Sequence, residues 1–202
     1  MNEVGSKDFV SQELKALHQS IDGCTICLIF SPRTSKPIGI DRGTLSEVMV
    51  VGEAPGQKEL LLLRSFSGQS GKKLFQWLVQ AGLGSDEEEI RRRVYITSII
   101  KCTCPDPLLY KRMVGNCLHY LQRQVILLKP RVIITLGKRS LEVISGGSVI
   151  MSDLIGRVFK EPDINRTLFP TLNTDATIIP FPHPSPANIG YHLKYKNEIE
   201  AA

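Results

Sequence analysis

At 202 residues, 42% of them hydrophobic and 22% charged, the chain is long enough to bury one sizeable core and too short for two comfortable domains, so a single domain over 1–202 is expected. Its 25 Lys and Arg against 20 Asp and Glu give a net charge of +5 and a pI near 9.0, which favours a polyanionic partner without requiring one. No run approaches the ~18 apolar residues of a membrane span and no apolar segment follows Met1, so the expectation is a cytoplasmic monomer with no membrane partner.

The apolar residues Val10, Leu14, Leu17 and Ile21 share one face of a helix expected from Lys7 to Ile21, and Asp22-Gly23 stops it. Residues 30–44 carry turn formers and read as an irregular connection with room for one short strand. Val48-Met-Val-Val51, bounded by Gly52 and Pro55, reads as a buried strand that turns sharply at its end. Strand ends are where open α/β sheets bind ligands, so Glu53 is expected to point into a crevice. A solvated loop acid is an equal reading of that pentapeptide taken alone.

Residues from Gln57 to Ser70 read as a loop holding Leu60-Leu-Leu-Leu63. The helix that follows places Leu74, Phe75, Leu78 and Val79 on one face and ends at Gly82 or Gly84. Gly68 and Gly71 would deliver backbone N–H groups at its start, where a phosphate or carbonyl oxygen can bind. A nucleotide-hydrolase phosphate loop is excluded, because Lys73 follows Gly71-Lys72 and Phe66 stands where the first glycine belongs. The charge run from Ser85 to Arg93 reads as a solvated helix or turn.

A second buried strand is expected over Val94–Ile100. Next comes a helix with Val114, Cys117, Leu118, Leu121, Val125 and Leu128 on one face, ended by Pro130. Val132–Leu136 forms a third strand and Lys138–Ile144 a further helix. Loops with a short strand near Ile155–Phe159 precede a last strand, Thr177–Phe181, and a terminal helix from about Tyr191. Four strands alternating with helices imply a parallel-rich sheet covered on both faces. Five cysteines in a chain without an export signal point to metal binding or buried thiols rather than disulfides.

The stretch GEAPG (52–56), Phe66-Ser-Gly68, Ser70-Gly71, the strand VYITSIIKC (94–102), the helix with Cys117, the ITLG strand (134–137) and HPSP (183–186) together resemble the uracil-DNA glycosylase superfamily. Within it they resemble the iron-sulfur group often called family 4. The resemblance runs roughly from Cys24 to Asn188, in the family's order and close to its spacing. It implies an α/β fold, a three-layer α/β/α sandwich with a central parallel-rich four-stranded sheet and a groove at the strand ends. It also implies hydrolysis of the N-glycosidic bond of uracil or another deaminated base in DNA. That reaction develops positive charge on the sugar and negative charge on the base, so an anion near the sugar and a hydrogen-bond donor near the base oxygen are the groups it needs.

The resemblance assigns those catalytic roles to Glu53 and His183. It puts the backbone of Gly52 and Ala54 against the base, Phe66 under it and Ser98 at its edge. Gly68, Gly71 and the loop and helix with Ser185, Ile189, Tyr191 and Lys194 would meet DNA. Cys24, Cys27, Cys102 and Cys117 match the ligands of a 4Fe-4S cluster, with a zinc ion the alternative for four thiolates. Cys104 is left as a spare thiol.

Ser98 stands where the family carries Asn, and Leu60 and Leu63 replace an acid and a glycine, so altered base preference is expected. The competing readings are a non-catalytic iron-sulfur protein binding damaged or single-stranded DNA and, further off, a hydrolase of free nucleosides.

Overall fold

Four short apolar runs, Val48–Gly52 (β1), Val94–Ser98 (β2), Val132–Leu136 (β3) and Thr177–Phe181 (β4), pair in parallel in the order β2-β1-β3-β4. The computed structural model describes residues 3–28, 45–104, 106–160, 170–172 and 174–201. The connection expected over 30–44 lies outside the described residues. The strands read as continuous apolar runs rather than alternating patterns because both sheet faces are covered. Met49, Val50, Val51, Tyr95, Ile96, Ile133 and Ile178 are all 0% exposed, each buried aliphatic contributing about 1.5–3 kcal/mol.

Glu3–Asp22 (α1) and Tyr110–Leu128 (α5) lie over one face, where His18 Nε2 is 2.7 Å from the Tyr95 hydroxyl and Gln124 Nε2 donates to that hydroxyl at 2.9 Å. Gln69–Gln80 (α3) covers the opposite face, with Trp77 and Leu78 beside Val48, Val132, Ile134, Ile179 and Phe181. The expected α/β/α layering is therefore present. Pro180 is tolerated in β4 because β4 is an edge strand, where a missing N–H breaks no ladder bond. The short strand expected near Ile155–Phe159 is a single antiparallel bridge, Phe159 with Ile178.

Three expectations are corrected. Residues 57–62 form a helix (α2, Gln57–Leu62) rather than loop, started by Glu59, whose Oε2 accepts the Gly56 N–H at 3.0 Å, and stopped by left-handed Leu63. In Glu87–Arg93 (α4), part of the charge run, Arg91 is only 5% exposed. The terminal helix begins earlier, at Ile189, and breaks at Tyr195 into Ile189–Lys194 (α7) and Lys196–Ala201 (α8). Lys138–Ser145 (α6) follows β3 as expected. Since the chain passes from β1 outward to β2 and then returns to β3 and β4 on the other side, the carboxyl ends of β1 and β3 flank the switch point of the sheet.

Candidate active site

The end of β1 is shaped by what it has to admit. A Cβ on Gly52 would lie 2.8 Å from Phe66 Cζ, so the glycine lets the Phe66 ring close over the strand end. Beyond β2, Ile99 and Ile100 donate N–H bonds to Gly52 O and Glu53 O at 2.9 and 3.0 Å, fixing the backbone of the acid. Phe66 has the left-handed φ of 51°, a conformation costly for a bulky residue. Its surroundings hold it there. Arg91 Nη2 donates to Ser65 O at 2.9 Å, the Arg91 guanidinium stacks 4.4 Å from the Phe75 ring centroid, and the carbonyl of Phe66 fills the place of a Gly71 side chain.

Glu59 ties the two loops together. Its Oε1 accepts from Ser67 N at 2.8 Å and Gly68 N at 3.0 Å while Oε2 takes Gly56 N. The Gly68 N–H expected to face a ligand is thus spent on Glu59.

Between these loops and β2 and β4 lies a cleft of about 140 Å³, lined by Pro55, Gly56, Glu59, Ser65, Phe66, Ser70, Thr97, Ser98 and His183. It is smaller than the ~300–1,000 Å³ of clefts for drug-sized ligands. Ser98 donates its hydroxyl to Ile100 O at 2.7 Å, leaving only acceptor capacity for a ligand. The buried Ser65 hydroxyl has no partner among the described residues.

His183 follows β4. Ser185 N–H donates to His183 Nδ1 at 3.2 Å, which makes Nδ1 the acceptor and puts the proton of the neutral ring on Nε2. Burial pushes its pKa below the usual 6.5, against an opposing pull from the Glu53 carboxylate and with a further push down from His192. The folded protein therefore favours neutral His183. Its stabilising contribution is complete above the unfolded value of about 6.5 and is lost as pH falls through the lowered folded value. An NMR titration of the ring is expected to show a midpoint under 6.5, and Glu53→Gln to lower it further because the raising charge is gone; a midpoint at or above 6.5 contradicts this environment.

Glu53 sits at the cleft margin rather than in its lining. Arg139 Nη1 donates to Glu53 Oε1 at 2.8 Å, with the side chains 50% and 28% exposed. Ala54 is half-buried against the core. Ser185 Oγ accepts from Asn188 Nδ2 at 2.9 Å. Ile189, Tyr191 and Lys194 lie exposed on α7, outside the cleft lining, with Tyr191 stacked on Tyr195 at 5.7 Å.

Cys24, Cys27, Cys102 and Cys117 come together around a second, small pocket that also involves Lys101, Asn116 and Tyr120. Burial and the three neighbouring thiols push Cys102 up to about 12, so in these surroundings it is a protonated thiol at neutral pH. Among the described residues no group of three or more His, Cys, Asp or Glu side chains stands close enough to hold a metal ion. Cys104 stands apart, its Sγ 3.4 Å from Asp106 O.

A family model described as the Uracil DNA glycosylase superfamily matches residues 41–202. The chain belongs to that superfamily. It is 33% identical over 153 residues to a Type-4 uracil-DNA glycosylase of Pyrobaculum aerophilum, covering 73% of this chain and 74% of that protein. It is also 33% identical over 134 residues to one of Sulfurisphaera tokodaii, covering 65% of this chain and 57% of the relative. With one of Archaeoglobus fulgidus it shares 33% over 130 residues, 63% of this chain and 61% of the relative. The chain thus spans about three fifths of two of these relatives and three quarters of the third.

In this superfamily member the fold brings Phe66, Ser98 and His183 to one cleft, sets Gly52 behind the Phe66 ring, and brings the four cysteines to another pocket. Sequence reasoning passed over Glu59, Ser65 and Arg139. For Glu59 a signal existed, since an acid three residues after Gly56 is the spacing of a helix-start cap. Arg139 had none, because its partner is 86 residues away. No helix among the described residues is long and apolar enough to cross a membrane.

Proposed function

We propose that this protein is a DNA-repair glycosylase that turns uracil or another deaminated base out of the helix and hydrolyses its N-glycosidic bond, leaving an abasic site. The observation that carries the reading is a single-base-sized cleft at the strand ends, with Phe66 in its wall, a neutral His183 on one side and the Glu53 carboxylate at its margin. The bond is inaccessible in stacked duplex, so the base has to be extruded. The relatives' printed name, Type-4 uracil-DNA glycosylase, supports the same activity.

As the C1′–N bond breaks, its electron pair goes to the base. His183 Nε2–H donates to the base oxygen that gains charge, and Ser185 keeps that proton on the outward nitrogen. Glu53 stabilises the cationic sugar and takes the proton of the attacking water. Phe66 stacks on the base. Ser98, with its hydroxyl committed to Ile100 O, offers an acceptor alone where an amide offers donor and acceptor. Weaker discrimination among deaminated bases follows. Excision from uracil, hypoxanthine and xanthine duplexes is expected on more than one base, and a fast, uracil-only profile rejects the Ser98 argument. Wild-type protein that binds these duplexes and cuts none is a binding module.

For the thiols, the four cysteines line one pocket, and their match to the ligands of the iron-sulfur glycosylases supports a 4Fe-4S cluster, with zinc the alternative for four thiolates. Cys24, Cys27, Cys102 and Cys117 would hold it. Its contribution would be a cross-link joining the end of α1, the strap after β2 and α5, with no part in hydrolysis. Purified protein is expected to be brown with about four iron per chain. Cys102→Ser is expected to lose the colour and about 2–5 kcal/mol of stability, the scale of a lost native cross-link. Colourless, zinc-loaded wild type excludes the cluster.

A further inference from the structure

Arg139 is paired with one of the two groups that excision needs. Strand β3 runs between β1 and β4, so its carboxyl-terminal turn emerges between Glu53 and His183. Gly137 permits the approach, since a Cβ there would come 2.9 Å from His183 Cβ. From this turn Arg139 reaches Glu53 Oε1 at 2.8 Å. Its guanidinium lies 5.0 Å from the Tyr110 ring centroid, and the Tyr110 hydroxyl donates to Arg139 O at 3.5 Å. Ring and carboxylate together set the plane of the guanidinium. The side chain is nevertheless 50% exposed, and Glu53 takes one of its five donors. An ion pair this exposed adds little to folding, so its placement calls for another purpose.

We propose that Arg139 is a positioning residue that couples DNA binding to the carboxylate: one edge of the guanidinium aims Glu53, and the open edge takes a phosphate oxygen of the strand whose base enters the cleft. The substrate in this proposal is that of the excision reading. A guanidinium paired with Glu53 alone cancels much of the field that the carboxylate exerts on a cationic sugar. A phosphate on the open edge offsets the guanidinium in turn, so the negative charge of Glu53 acts on the sugar only when the strand is in place. Arg suits this bridging because its planar fork serves two oxyanions at once, which a lysine ammonium does not.

The test combines single-turnover excision with binding across a salt series for Arg139→Ala and Arg139→Lys, each with Glu53 intact and with Glu53→Gln. Arg139→Ala is expected to slow excision on the order of 10- to 100-fold and to reduce the slope of log affinity against log salt by about 0.9, one duplex phosphate. Arg139→Lys restores the slope and not the rate. With Glu53→Gln, the rate effect of Arg139→Ala disappears while its slope effect remains. An unchanged slope, or an equal rate loss in both backgrounds, overturns the proposal. Wild type that excises nothing overturns it together with the excision reading, whereas an active wild type indifferent to Arg139 overturns this proposal alone.

Discussion

His183→Ala and Glu53→Gln are each expected to lower the single-turnover excision rate about 10²–10³-fold while leaving DNA affinity within a few-fold. The magnitude is that of removing one preorganised group that meets charge developing in the transition state. His183 is preorganised in a measurable sense. Its ring accepts from Ser185 N–H at 3.2 Å, and its carbonyl lies 2.9 Å from His192 Nε2, itself stacked edge-on against Trp77 at 5.1 Å. The backbone is anchored and the ring is oriented by the Ser185 N–H, and an alanine leaves the departing base without a donor. Because both groups act on one bond, the double variant is expected to lose less than the product of the single losses. Rapid-quench excision with binding read by anisotropy separates the two quantities. Rates within tenfold of wild type for either single variant remove that residue from the mechanism.

Gly71→Ala is expected to be the most damaging small substitution near the cleft, costing about 3 kcal/mol or more and abolishing base stacking. A Cβ at this position would sit 1.7 Å from the Phe66 carbonyl oxygen, so backbone has to move. Phe66 already holds φ 51°, and its segment is gripped by Arg91 and Glu59, which leaves the strain no cheap outlet. Gly52→Ala is the informative contrast. There the clash at 2.8 Å is with the Phe66 ring, which can tilt, so the protein is expected to fold with nearly normal stability and to bind the extruded base poorly. Denaturation midpoints with excision assays for both variants distinguish the cases. Equal stability losses refute the distinction between backbone and ring.

The four strands and the long helices were legible because period and composition are local, although β2 ends at Ser98, two residues before the expected Ile100. Helix α2 was misread because its three leucines make no amphipathic stripe and none of its residues is buried. Its order comes from Glu59 bonding across to the backbone of Ser67 and Gly68, a side-chain tie that hydrophobic periodicity does not register. Arg91 looked like one charge among many in its run, and its burial depends on the Phe75 ring and the Ser65 carbonyl arriving from elsewhere.

By itself the amino-acid order determined which segments become strands, that they lie parallel under helices, and that Glu53, Ser98 and His183 stand at or just beyond their ends, since apolar period, turn residues and motif spacing are properties of neighbours along the chain. Tertiary structure alone decided that Glu53 is held by Arg139 at the cleft margin, that the Gly68 N–H belongs to Glu59, and that Ser98 points its proton at Ile100 O. A side chain's free donors and acceptors are what remain after its distant neighbours have taken theirs, and those neighbours are chosen by the order of strands in the sheet.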